Sequence, residues 1–173
     1  MKGKMAALML CLASICSFGQ EVKIISDVFP QYQGVVIING KSSSELYNSL
    51  KLWVAENYNS ANDVIQLDDK ENGILIIKGY IPVAIKIMTG MYTFDVRTNF
   101  KFETKDGKFR YTADVTNILD PNAPTAGDMM NSIQKKPDGK YQMGAKDSIT
   151  NAINEIIQSL AKKLTNETTT EDW

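Results

Sequence analysis

Tyr92-Thr93-Phe94-Asp95-Val96-Arg97-Thr98-Asn99-Phe100-Lys101-Phe102-Glu103, followed by Phe109-Arg110-Tyr111-Thr112-Ala113-Asp114-Val115-Thr116, is the stretch that decides the fold. Tyr92, Phe94, Val96, Phe100 and Phe102 alternate with polar side chains, and Thr98 is the single polar member of their row. Phe109, Tyr111, Ala113 and Val115 alternate in the same way. A period of two is the signature of a half-buried strand. Asp106-Gly107 between the runs suits a two-residue type I′ turn. Closing the chain there places Phe102 opposite Tyr111, Phe100 opposite Ala113 and Glu103 opposite Arg110. All apolar side chains then share one face and opposite charges meet, which a one-residue slip would undo. The pattern therefore predicts a long antiparallel hairpin with one buried and one wet face. The wet face carries Asp95, Arg97, Asn99, Lys101, Arg110, Thr112 and Asp114.

On the N-terminal side, Ile74-Leu75-Ile76-Ile77 reads as a buried strand and residues 63–67 as its neighbour. Asp68-Asp69-Lys70-Glu71-Asn72-Gly73 joins them. It begins like a calcium loop, but Lys70 stands at the third position and Gly79 at the twelfth, so it reads as a hairpin turn. Gly79 and Pro82 mark where regular pairing should be disturbed, and residues 83–91 fit either a strand or a covering loop. Ser42 and Glu45 form a capping box ahead of a helix over 43–58. Its apolar stripe is Leu46, Leu50, Trp53 and Val54, with Trp53 as a core anchor. Val35-Val36-Ile37-Ile38 is a β-branched strand ended by Asn39-Gly40. Residues 20–33, broken by Pro30, read as an irregular lead-in with room for a short edge strand.

On the C-terminal side, residues 119–145 hold Pro121, Pro124, Gly127, Pro137, Gly139 and Gly144. That is long for a connection inside a domain, which marks the segment as mobile or functional. Ile149, Ile153, Ile156, Ile157, Leu160 and Leu164 then make a helical stripe, and a polar tail follows over 165–173. The order is strand, helix, four strands, helix. It predicts an α+β fold, β-α-β4-α, with a single antiparallel sheet and two helices on one face.

The chain has 173 residues, with 19 Lys plus Arg, 20 Asp plus Glu and no histidine. Without histidine there is no Ser-His-Asp or Cys-His catalysis, and no zinc or haem held by an imidazole. Lys2 and Lys4 precede an uncharged apolar run that ends at Ser17-Phe18-Gly19, the layout of a signal peptide cut after Gly19. The run is too short to span a bilayer. Cys11 and Cys16, the only two cysteines, lie inside it. Acylation at Cys16 is disfavoured by the bulky Ile15 before it. The expected domains are therefore 1–19 as signal peptide, 20–164 as a single α+β unit and 165–173 as tail. Removal of Lys2 and Lys4 takes the formal charge from −1 to −3. The mature chain is expected in the periplasm or outside the cell, with no transmembrane segment and no disulfide.

Several runs resemble the bacterial family DUF4468, which is described as having a TBP-like fold and is common in secreted proteins of Bacteroides and relatives. They are Glu45-Leu46-Tyr47, Trp53-Val54-Ala55-Glu56-Asn57-Tyr58, Ser60-Ala61-Asn62-Asp63-Val64-Ile65-Gln66 and Lys70-Glu71-Asn72-Gly73 leading to Lys78-Gly79. The likeness spans roughly residues 34–118. It implies the β-α-β4-α order of one half of the TATA-binding-protein fold. It carries no assigned activity and no catalytic residue, and a shared fold name does not transfer DNA binding.

The residues are compatible with a non-catalytic binding or assembly module of the cell envelope, whose partner would be an envelope protein or a small ligand. Its candidate contacts are Arg97, Lys101 and Arg110 on the wet sheet face, and Met129, Met130, Lys135 and Lys136 in the long connection. The alternative is a small carboxylate-dependent hydrolase acting on glycans, using Asp68, Asp69, Glu103 or Asp114. Nucleic acid is not an expected partner: the charge is slightly negative and the expected open face has no stacking aromatic. No pattern calls for a cofactor or a metal.

Overall fold

Every neighbouring pair of strands is antiparallel in the computed structural model, which describes residues 22–26, 31–87, 90–123, 125, 127–128 and 143–166. Residues 1–19, expected to be a signal peptide, residues 167–173, and Met129, Met130, Lys135 and Lys136 lie outside the described residues. The strands are β1 (Val22–Ser26), β2 (Gln31–Ile37), β3 (Ile65–Asp69), β4 (Ile74–Ile87), β5 (Gly90–Lys105) and β6 (Lys108–Leu119). The helices are α1 (Ser43–Asn57), the single turn α2 (Ala61–Val64) and α3 (Met143–Asn166). One six-stranded sheet has the order β1-β2-β6-β5-β4-β3.

The hairpin of β5 and β6 closes in the register that alternation demands: Phe102 opposite Tyr111, Phe100 opposite Ala113 and Glu103 opposite Arg110. Its turn has two residues, since Lys105 pairs with Lys108, and Gly107 takes φ +73, where a side chain would be strained. The inward rings pack on one another: Phe100 stacks on Phe102 at 5.8 Å, and Phe109 meets Phe102 edge-on at 6.2 Å. Tyr92 departs from the expected row. It is 53% exposed, because β6 ends opposite Asp95 and β5 runs on beyond it.

β4 corrects the expectation of disturbed pairing. Its register with β5 is unbroken from Ile74 opposite Glu103 to Ile87 opposite Gly90, through both Gly79 and Pro82. Gly79 lacks a side chain because the Tyr58 ring lies against it; a Cβ there would sit 2.6 Å from Cε1 of that ring. Pro82 is tolerated for a different reason. Thr104 N–H donates to the Gly73 carbonyl at 2.9 Å, so odd-numbered residues of β4 aim their backbone groups at β5. Even-numbered ones aim away, and the missing N–H of Pro82 falls on the outer edge. The irregularity lies instead on the other side of β5. Arg97 faces Asn117 while Thr98 faces Val115, leaving Thr116 as an extra, bulged residue of β6.

The short edge strand allowed for in the lead-in is present at Val22–Ser26, and β2 starts four residues before Val35. β1 is an edge strand on β2, and β2 begins at Gln31, whose side chain bonds Asp114 of β6 at 2.6 Å. α2 precedes β3, which starts two residues later than alternation suggests.

α1 and α3 cover the same face. α1 opens with the capping box: Glu45 N–H donates to Ser42 Oγ at 3.3 Å, and Ser42 N–H donates to the Glu45 carboxylate at 2.7 Å. Ser43 N–H donates to Asp106 at 2.8 Å, tying the helix start to the hairpin tip. Leu46, Tyr47, Leu50, Trp53 and Val54 are buried. α3 buries Ile149, Ile153, Ile157, Leu160 and Leu164. Its Thr150 hydroxyl bonds that of Tyr32 on β2 at 3.1 Å, and its Lys163 pairs with Glu56 on α1. The other sheet face is left uncovered by these helices.

Candidate functional site

Alternation and one bulge together build a polar patch at the centre of the open sheet face. Tyr80 of β4, Arg97 of β5 and Asn117 of β6 form one row across three strands. Lys78, Asn99, Asp114 and Gln31 form the row beside it. Without the extra residue at Thr116, Val115 and Ile118 could not both turn inward with Asn117 outward; both apolar side chains are buried. A bulge that re-aims a side chain is a recurrent device beside functional sites.

Within the patch the Arg97 guanidinium lies 5.4 Å from the centre of the Tyr80 ring, a cation–π contact. Arg97 Nε, Asn99 Oδ1 and Asn117 Oδ1 are withdrawn from solvent, and none has a hydrogen-bond partner among the described residues. Buried polar atoms are nearly always paired, so three unpaired ones in one patch require an explanation. One of them donates, and the two carbonyl oxygens accept. Together they match a group that both gives and takes hydrogen bonds.

The expected contacts Arg97, Lys101 and Arg110 all lie on this face, but they do not act as one cluster. Lys101 is 3.1 Å and Arg110 4.0 Å from Glu103, so both are engaged with that carboxylate. Arg110 also borders a depression of about 180 Å³ with Val35, Lys105 and Lys108. Arg97 stands apart, one row beyond Asn99. Alternation places Asn99 on the wet face without marking it as a contact, and Tyr80 and Asn117 are not singled out by sequence reasoning. Tyr80 is 46% exposed and gives the open face an aromatic ring that the sequence reading did not place there. Its signal was position: it is six residues from Ile74 in an alternating strand. Asn117 had no such signal, because the bulge shifts its parity.

The acids of the hydrolase reading are held as anions or scattered. Asp68 accepts hydrogen bonds from Lys51 at 2.5 Å and from the Tyr47 hydroxyl. These two bonds hold its carboxyl below the usual carboxylate range. Burial, and then the bond to Asp68, push the Tyr47 hydroxyl upward. Asn72 bonds Asp69 at 3.1 Å through its backbone and 2.8 Å through its amide, which lowers that carboxyl as well. Glu103 is flanked by cations, and Asp114 accepts from Gln31. A general acid needs the opposite shift. Among the described residues no three His, Cys, Asp or Glu side chains gather as a metal site. No helix among them is long and apolar enough to cross a membrane.

Comparison with known proteins agrees with this architecture. The family model described as a domain of unknown function (DUF4468) with TBP-like fold matches residues 32–118. No curated protein matches the chain. Among solved structures, a DUF4468 family protein from Bacteroides ovatus aligns with TM-score 0.56 and 14% identity over 78% of this chain and 85% of that one. A TBP-like protein from Parabacteroides distasonis aligns with TM-score 0.56 and 14% identity over 79% and 92%. At such identity the likeness speaks for the fold alone.

Proposed function

The chain belongs to the DUF4468 family, a domain of unknown function with TBP-like fold, and on that premise we propose that it is an exported, non-catalytic binding module of the cell envelope. Its binding surface is the open sheet face, and its ligand is rich in hydroxyl or amide groups. The observation that carries this reading is the unspent hydrogen-bonding capacity of Arg97, Asn99 and Asn117, with the Arg97 guanidinium against the Tyr80 ring. A pair of neighbouring sugar hydroxyls, or a primary amide, answers one donor and two acceptors at once. Mixed charge around the patch, from Asp95 and Asp114 to Lys78 and Lys101, favours a neutral ligand over a polyanion.

The test uses the full chain beside an Asn99→Ala/Asn117→Ala double variant of matched thermal stability. Both are labelled and applied to an array of bacterial envelope glycans and to envelope extracts in a pull-down. Retention by the wild type that the double variant loses supports the proposal. Equal retention by both, or none above background by the wild type, overturns it.

A further inference from the structure

β4 is 14 residues long, but its outer neighbour β3 has five and pairs only with residues 74–77. Beyond Ile77, no described strand lies along the outer edge of β4. The parity set by the Thr104–Gly73 hydrogen bond makes this edge a specific ladder. Lys78, Tyr80, Ala84 and Lys86 each turn an N–H and a carbonyl outward, and Pro82 turns out a carbonyl only. Edges of this length are usually covered, because free backbone groups template further pairing.

A groove of about 360 Å³ opens on the inner side of the same edge. Its walls include Trp53 and Tyr58 at the end of α1, Ile81 and Pro82 of β4, and Ile156 and Glu155 of α3. An added strand alternates its side chains between the two faces of the sheet. Its residue opposite Ile81 therefore points into this groove, while those opposite Lys78 and Lys86 point to the open face. Main-chain pairing with a pocket for an alternate side chain is how extended peptides add to sheet edges.

The geometry points to strand addition: we propose that residues 78–87 of β4 receive an extended peptide that is acidic on one face and aromatic on the other. The acids answer Lys78 and Lys86. The aromatic side chain fills the groove, where a ring N–H or O–H can donate to the Glu155 carboxylate. A second copy of this chain is a poorer occupant. Two β4 edges paired antiparallel about Pro82 would set Lys78 of each copy against Lys86 of the other, and like charges directly opposite destabilise a pair. The two prolines would also face each other without a donor. Tyr80 borders both this groove and the Arg97 patch, but the inference rests on the backbone edge of β4 and not on the unpaired atoms of that patch.

The probe is the capped nonapeptide Glu-Val-Thr-Val-Thr-Trp-Thr-Val-Glu, whose Trp stands opposite Ile81 when its ends meet Lys86 and Lys78. Binding to the full chain is followed by amide chemical shifts and fluorescence anisotropy. The expected result is saturable binding with shifts centred on residues 78–87 and on Trp53 and Tyr58. N-methylation of the third and seventh peptide residues, whose N–H groups face Ala84 and Tyr80, should weaken it at least tenfold. N-methylation of the second and eighth, which face away, should leave it within about twofold, since those amides make no ladder bond. Ala84→Pro, which deletes one outward donor, and Lys78→Glu/Lys86→Glu should each weaken it about tenfold, with the fold verified by circular dichroism. Absence of binding at millimolar peptide overturns the proposal, and so does equal binding by both N-methylated forms. A dimer of the chain itself that Ala84→Pro dissolves also overturns it, in favour of self-pairing.

Discussion

Gly34 of β2 and Tyr111 of β6 are register partners, and the tyrosine ring lies across the glycine: a Cβ at position 34 would sit 2.6 Å from ring Cε1. The ring is 2% exposed and belongs to the shared core, so it has no free space to move into. Gly34→Ala is therefore expected to destabilise the protein by about 1–3 kcal/mol through overpacking, although alanine suits a strand better than glycine does. Urea unfolding measures the shift in midpoint. A variant as stable as wild type would show that the ring is not held there.

Thr98 presents the reverse case. It is fully buried on the inward row, and its hydroxyl has no hydrogen-bond partner among the described residues. Thr98→Val keeps the shape and removes the unpaired hydroxyl, so a stabilisation of about 1 kcal/mol is expected. Thermal unfolding should report a higher midpoint. A fall of similar size would reveal a partner for the hydroxyl.

Ser42 supports the first turn of α1 from both sides of the capping box. Ser42→Ala is expected to cost about 1 kcal/mol. Glu45 would then lose the hydrogen bond from the Ser42 hydroxyl, the larger of the two from residue 42 that now lower its carboxyl, while the backbone bond stays, so its titration, followed by NMR, should move upward. An unmoved titration would mean that the box is open in solution.

Asp68 sets an acid limit on the packing of α1 against β3. Its carboxyl is lowered by the Lys51 and Tyr47 bonds. A depressed value in the folded state means that the stabilisation is present above about pH 4 and is lost as pH falls through the folded value. Asp68→Asn should therefore flatten the loss of stability between roughly pH 4 and 2. At neutral pH it should cost no more than about 1 kcal/mol, as expected for a pair open to solvent. Parallel pH-dependent slopes for wild type and variant would contradict this assignment.

The β5–β6 hairpin was legible because nearly twenty residues repeat one period and the turn is Asp-Gly. α1 was legible because a capping box and an apolar stripe agree on the same helix. Where the reading failed, the deciding partner was distant. Gly79 and Pro82 look like breakers in isolation, yet one makes room for Tyr58 and the other faces an edge along which no described strand lies. Gln31 and Gln33 are not strand formers by themselves, but Asp114 and Thr112 of β6 receive their side chains. The site was half legible. Alternation placed Arg97, Lys101 and Arg110 on the open face, while Glu103 engaging two of them and the bulge presenting Asn117 depend on cross-strand geometry.

The position of β2 carries a consequence for assembly. β4, β5 and β6 follow one another as adjacent hairpins, whereas Gln33 of β2 reaches its partner Thr112 from 79 positions away. Closing so wide a loop is entropically slow compared with zipping a local meander. The segment synthesised first is thus among the last to be seated. Until β6 has emerged, β2 has no strand of the meander to join, and β1 has only β2.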